Sequence, residues 1–338
     1  MKLDKKKLFK NKIILITGAT GSIGSAITEE LLKYDCEAVR AMSNDENGIY
    51  KLSEKLTKKN ESLEINMNKN KIRYLVGDIR DKKRCDLVCK NVDIIIHAAA
   101  LKHVTICEYN PDEAKKTNIE GTKNIINSAI KNKVKKFLFI STDKVVNPTS
   151  VMGKTKLVAE KLVLNANKKK NIQTFFSVIR FGNIIGSRGS VLPKFLTQIK
   201  SNDKITITDV NMTRFFITID IAIKKIIKAL ILMKKGEIFI INNMRSFKIL
   251  DLSKAIIKHF SYKKKIVIKG LREGEKIYEE LASVDEMKHS EITNDFIILN
   301  KKSKKLKENF KMKNLNSNNF KPVNQKEILK FLLKSKLL

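Results

Sequence analysis

No run of about 18 apolar residues occurs in this 338-residue sequence, so no membrane-spanning helix is expected. The first twelve residues, MKLDKKKLFKNK, are basic but have neither an apolar core segment nor a small-residue cleavage site, which argues against a signal peptide. Only four cysteines are present, Cys36, Cys85, Cys89 and Cys107, and none makes a CxxC pair. Cys85 and Cys89 stand at helical spacing without a second ligand pair, so reduced thiols in a cytoplasmic protein are expected, and no metal site. Zinc-finger spacing, an RRM-like aromatic motif and internal repeats are all missing. The formal charge of +34, from 69 basic against 35 acidic residues, suggests nucleic acid or a membrane surface. Arginine is scarce, however, and the lysines are spread through every segment among isoleucines and asparagines. That is compositional drift, and no specific nucleic acid is expected.

What is present is a globular chain, 42% hydrophobic and long enough for one large α/β domain with a smaller appendage. Apolar runs of strand type recur at 13–16, 37–42, 72–76, 92–96, 137–140 and 174–179. Segments of helical period such as 25–34, 112–131 and 152–168 separate them. Alternation of this kind predicts an α/β fold, a doubly wound parallel sheet. The expected division is a dinucleotide-binding domain over 1–180, with 215–245 returning to it, and a smaller α/β part over 181–300. A Lys/Asn-rich tail over 301–338 ends in a helix near 324–337, and 300–322 reads as low complexity, poorly ordered or wrapped on the surface.

Gly18, Gly21 and Gly24, in Thr17-Gly-Ala-Thr-Gly-Ser-Ile-Gly24, follow a strand and open a helix. This is the setting in which glycines let a backbone approach a pyrophosphate at a helix N-terminus. Thr17, Thr20, Ser22 and Ile23 belong to the same loop. About twenty residues on, where an acid would hold the adenosine ribose, stand Ser43 and Asn44, with Arg40 near and Asp45 following. NAD and NADP both stay open. Asp78 and Ile79, after the strand at 72–76, are placed to touch an adenine or to cap the next helix. Small residues Ala98, Ala99 and Ala100 allow a backbone beneath the cofactor, Lys102 and His103 can face a substrate, and Asn118 suits a bridge between backbone groups. Ser141-Thr-Asp-Lys144 emerges at another strand end. Lys156 lies four residues beyond Met152, which occupies the place where a nucleotide-dependent dehydrogenase usually has a tyrosine.

The motifs TGATGSIG, GDIRD, HAAA and MxxxK resemble the extended short-chain dehydrogenase/reductases. More narrowly, ALKHVTICEYNPDEAKKTNIEGT, STDKVVNPTSVMGKTK, RFGNIIGSRGSVLP, ITDVNMTRFFIT and GLREGEKIYEEL resemble the polysaccharide-biosynthesis (CapD-like) UDP-N-acetylglucosamine 4,6-dehydratases over about residues 10–285. Glu273 replaces the usual proline of the last motif, and the resemblance is to the short soluble forms, in which the membrane-spanning half of the long members is not expected. The resemblance implies a tightly bound NADP or NAD regenerated in each turnover, a UDP-sugar substrate, and a homo-oligomer, dimer or larger. Methionine at the tyrosine position is similar to the branch that retains configuration at C5.

By the same resemblance, Asp143 is the acid at the C6 oxygen, Lys144 the base at C5, and Thr142 the hydrogen-bond partner of the C4 oxygen. Lys156 holds the nicotinamide ribose. Nucleotide-sugar contacts fall to Lys102, His103, Asn183, Arg188, Ser190, Arg214, Arg272 and Glu275, where arginines offer planar donors to phosphate oxygens. Lys144 must lose a proton although a lysine is ordinarily charged up to about pH 10.4. Burial and the positive nicotinamide are expected to lower it. A 4-epimerase, a dehydratase that also epimerises C5, and a non-catalytic nucleotide-sugar sensor are the alternatives.

Overall fold

The structure, a computed structural model, describes residues 5–62, 71–300, 315–320 and 323–338. Six strands lead the chain: β1 (Ile13–Thr17), β2 (Ala38–Ser43), β3 (Ile72–Val76), β4 (Ile94–His97), β5 (Lys136–Ile140) and β6 (Phe175–Arg180). Eight follow: β7 (Asn183–Ile184), β8 (Ile205–Ile207), β9 (Thr213–Ile217), β10 (Ile238–Ile241), β11 (Arg245–Lys248), β12 (Ile266–Ile268), β13 (Ser290–Ile292) and β14 (Phe296–Leu299). Nine of them form one sheet in the order β13-β14-β10-β6-β5-β4-β1-β2-β3. All neighbours from β10 to β3 pair in parallel, and β14 joins β10 antiparallel. β1, β4 and β5 are buried nearly throughout because helices cover both faces, which is why they read as continuous apolar runs. The strand order reverses between β1 and β4, and ligands of open α/β sheets bind in the crevice at such a switch point. The glycine loop, Asp78, Ala98–Ala100 and Thr142–Lys144 follow C-terminal strand ends along this edge, and Ser43 is the last residue of β2 there.

Beyond β6 lie a three-stranded sheet, β11-β9-β7, and a two-stranded one, β12-β8. They share a second apolar core that includes Leu192, Phe195, Phe216, Phe247 and Leu252. The terminal helix Gln325–Lys334 buries Ile328 and Leu332 in that core behind a capping box of Asn324 and Glu327. The chain rejoins the large sheet through the helix Ile219–Leu232 and β10, and again at β13 and β14, later than the 215–245 expected. The helix expected over 112–131 is interrupted by a π-turn at Lys116–Gly121. Within the Lys/Asn-rich segment, 301–314 and 321–322 lie outside the described residues. Residues 315–320 do not merely wrap the surface: Ser317 is fully buried, bonded to Thr213, Ser246 and Glu279.

One buried cation joins these parts. Arg180, 2% exposed at the end of β6, donates from Nε to Glu160 Oε2 (2.9 Å) and from Nη2 to Glu160 Oε1. It also donates to Glu286 (2.7 and 3.0 Å) and to the Leu281 carbonyl (3.2 Å). Burial opposes its charge, but the two carboxylates raise its pKa further than burial lowers it. Replacing Arg180 with leucine leaves Glu160 buried without its cation, so a loss of about 3 kcal/mol or more is expected. Urea unfolding measures it, and Glu160→Gln in the same background is expected to recover part of the loss.

Candidate active site

The glycine loop is built for close approach. Gly18 has φ +68°, and a Cβ there would stand 2.7 Å from Ala99 N, so the first turn and the loop after β4 pack backbone to backbone. At Gly24 a Cβ would collide with the Gly18 carbonyl, at 2.1 Å. Thr17 Oγ1 meets His97 Nδ1 (2.6 Å) and accepts from Ala99 N (3.3 Å), tying the two strand ends together. Asn118, on the π-turn, accepts from Leu101 N (2.8 Å) and donates to the Leu101 carbonyl (3.1 Å) and Thr155 Oγ1 (3.0 Å). It clamps the loop that carries Ala98–Ala100 and Lys102 to the helix that carries Lys156. This cradle of bare backbone at the N-terminus of the helix Ser22–Leu31 fits a dinucleotide pyrophosphate.

Two residues near the rim of the cradle are tied up in the protein's own bonds. Arg40 points away, donating to the Val88 and Lys90 carbonyls at 2.7 Å each. Asp45 accepts from Gly48 N (2.9 Å) at the start of the next helix instead of offering a free carboxylate. Ser43 Oγ pairs with Thr20 Oγ1 (2.9 Å), Asn44 is exposed, and Asp78 is held by Arg80 through two bonds of 2.8 and 2.6 Å. Ile79 is buried against Gly121, and Ile23 is half-buried on the core.

Thr142, Asp143 and Lys144 form one hydrogen-bonded cluster after β5. Thr142 Oγ1 donates to Asp143 Oδ1 (2.8 Å), and Lys144 Nζ donates to the same oxygen (2.9 Å). Asp143 is 0% exposed, and its Oδ2 has no partner among the described residues. Glu279, missed by sequence reasoning, is 2% exposed and brings Oε1 to 3.3 Å from Lys144 Nζ. Contrary to expectation, Lys144 is raised above the usual lysine value: burial, the largest cause, lowers it, but the Asp143 and Glu279 carboxylates together outweigh burial. Met152 is buried among Cys107, Ala114, Leu101 and Val104 and offers the site only a thioether. One turn on, Lys156 donates to the Ile140 carbonyl (2.7 Å) with Nζ 3.9 Å from the Phe139 ring centroid.

Beside this cluster opens a cleft of about 270 Å³ lined by Lys102, His103, Asn183, Ser190, Lys194, Arg214, Arg272, Glu275 and Lys276 among others. Burial, then the Arg188 charge, lowers Lys102; burial, then Arg272 and Lys269, lowers Lys194, as in a pocket crowded with cations. Ser190 stands at the N-terminus of the helix Val191–Lys200, which adds its dipole to that field. Two expected phosphate donors bond backbone carbonyls. Arg214 donates to the Thr213 (2.8 Å), Ile277 (3.1 Å) and Lys276 (2.6 Å) carbonyls, with Nε 3.7 Å from Glu279. Arg188 lies outside the cleft lining and reaches back to the glycine loop, donating to the Thr20 carbonyl, while its own carbonyl accepts from Lys102 Nζ (2.8 Å). Glu275 Oε2 accepts from Arg272 N (3.2 Å), closing its own turn.

A family model described as "Polysaccharide biosynthesis protein" matches residues 14–301. The chain belongs to that family, within the extended short-chain dehydrogenase/reductases. An uncharacterized membrane protein of Methanocaldococcus jannaschii is 44% identical over 304 residues, 88% of each chain. A UDP-N-acetylglucosamine 4,6-dehydratase (inverting) of Campylobacter jejuni is 42% identical over 292 residues, 86% of this chain and 82% of that one. Among solved structures, Pen from Bacillus thuringiensis superposes with a TM-score of 0.90 at 39% identity, covering 98% of this chain and 99% of that one. Among the described residues no helix is long and apolar enough to cross a membrane. The chain's fold is the doubly wound one, and its own strand-end cluster borders a cleft lined with cations.

Burial lowers Lys156 from 10.5 to about 7, only partly offset by Glu160. The unfolded chain therefore binds one more proton than the folded one between about pH 7 and 10.5, so this lysine makes stability rise with pH across that window. Lys156→Met is expected to remove that slope, read as the difference between the two proteins' unfolding free energies from pH 6 to 10.

Proposed function

We propose that the chain is a nucleotide-sugar 4,6-dehydratase that takes UDP-N-acetylglucosamine or a close relative to its 4-keto-6-deoxy sugar for glycan assembly. It would use NADP or NAD and retain configuration at C5. The observation that supports this reading is the bonded run Thr142–Asp143–Lys144, with Asp143 fully buried at the edge of a cation-lined cleft. Such a cleft suits a diphosphate, with Lys102, Lys194 and Arg272 as its donors. When bound, the nicotinamide supplies reversible oxidation, first at sugar C4 and then in reverse at C6.

The chain's own groups move two substrate protons, one from the C4 hydroxyl to the C6 oxygen and one off and back onto C5. Thr142 already donates to Asp143, so the C4 hydroxyl proton passes to Thr142 Oγ1 as Thr142 passes its own to Asp143 Oδ1. Asp143 then holds the proton that the C6 oxygen takes as water leaves. The carboxylate so neutralised is one of the two that keep Lys144 charged, so the ammonium gives its proton to solvent in the cleft most easily at that stage, and the neutral amine then takes the proton from C5. Met152 needs no proton of its own in this scheme. Lys144 returns a proton to the face of C5 from which it took one, which gives retention; inversion would require a second group on the opposite face.

Product analysis by NMR after incubation with UDP-N-acetylglucosamine in D2O is expected to show a 4-keto-6-deoxy sugar, deuterated at C5 with configuration retained. A C4 epimer with its water intact, an inverted C5, or tight binding without turnover would each overturn the corresponding part. Asp143→Asn and Lys144→Ala are expected to lower the rate of dehydration by about 10²-fold or more.

A further inference from the structure

The scheme above gives Glu279 no role, yet its carboxylate is buried beside Lys144. We propose that Glu279 is a positioning residue that holds Lys144 against Asp143 and sets the pH at which Lys144 becomes a base. The inference rests on Lys144 as the base of the proposed dehydration. Four observations carry it. Glu279 Oε1 stands 3.3 Å from Lys144 Nζ and 3.7 Å from Arg214 Nε, so it lies between two cations. Arg214 is itself immobilised by three backbone carbonyls, which makes it a rigid support and not a donor swinging toward a ligand. The backbone of Glu279 is pinned on both sides by one residue: Glu279 N donates to Ser317 Oγ (3.0 Å), and Ser317 N donates to the Glu279 carbonyl (2.9 Å). Glu279 Oε2 is buried with no partner among the described residues.

Held in this way, the carboxylate cannot follow Lys144 if the lysine moves, so it acts as a fixed anchor. Lys144 Nζ has Asp143 Oδ1 at 2.9 Å on one side, Glu279 on the other and Asn183 Oδ1 at 3.5 Å, while the charges of Arg214 and Lys276 face it from beyond. Once Asp143 is neutral, Glu279 is the remaining anion within bonding distance. It keeps the ammonium aimed along the cleft wall and delays its loss of a proton.

A base that must be uncharged gives a kcat/KM that rises with pH on the acid side. Removing an anion a few ångströms away favours the neutral amine, so Glu279→Gln is expected to move that limb to lower pH by about one unit or more. A purely structural role would lower kcat and leave the limb in place. The second readout does not depend on turnover: the pH midpoint of Lys144 acylation by acetic anhydride, followed by mass spectrometry on the full chain. It is expected to fall by a similar amount in Glu279→Gln. Glu279→Asp, with the carboxylate drawn back by one methylene, is expected to shift it less in the same direction. A midpoint at the wild-type value in whichever of the two variants folds overturns the proposal. If the midpoint shifts while the sugar product is not a 4-keto-6-deoxy compound, the coupling stands and the dehydratase reading fails.

Discussion

The guanidinium of Arg180 is the interaction on which the geometry of the site depends. It sits buried at the C-terminal end of β6, bonded to the carboxylates of Glu160 and Glu286. Glu160, one of its partners, lies on the helix Val151–Ala166 that carries Met152 and Lys156, and it also accepts from Ser141 Oγ (2.7 Å), the residue before Thr142. Glu286, the other, belongs to the capping-box helix that follows the Glu279–Leu281 segment. Burying charges is unfavourable unless each is closely paired and hydrogen-bonded. That requirement leaves few arrangements of β5, the Lys156 helix and the segment with Glu279, and the observed one brings all three to a single strand edge.

A second constraint is the close approach of the glycine loop to the loop after β4. Their contact through Gly18 and Ala99 leaves no room for side chains, and Asn118 reinforces it by bonding both polar atoms of Leu101. The π-turn at Lys116–Gly121 belongs to this region, which fits the frequent use of such turns where a helix must aim one side chain. Lys102 extends the link by bonding the Arg188 carbonyl, which ties the loop after β4 to the wall of the cleft.

Much of the fold was legible because buried parallel strands are uninterrupted apolar runs and the helices between them keep a 3.6-residue period. β1 to β6 and the glycine loop carry such local signals. The short strands β7, β9 and β11 to β14 carry weaker ones: most are two to four residues long and owe their state to partners far away in sequence. Ser317 looked like part of a low-complexity tail, since nothing nearby shows that it plugs the space between Thr213, Ser246 and Glu279. Arg188 and Arg214 looked equivalent as phosphate donors, and only the carbonyls that each one meets separates them.

By itself the sequence determined the alternating architecture, the family to which the chain belongs, and the adjacency of Thr142, Asp143 and Lys144, because these are properties of local pattern. Tertiary structure decided the charge on Lys144. A lysine's protonation depends on whichever anions lie within a few ångströms and on how little water screens them. One of its two anions, Asp143, is its neighbour in sequence; the other, Glu279, is more than a hundred residues away along the chain and is brought to 3.3 Å only by folding.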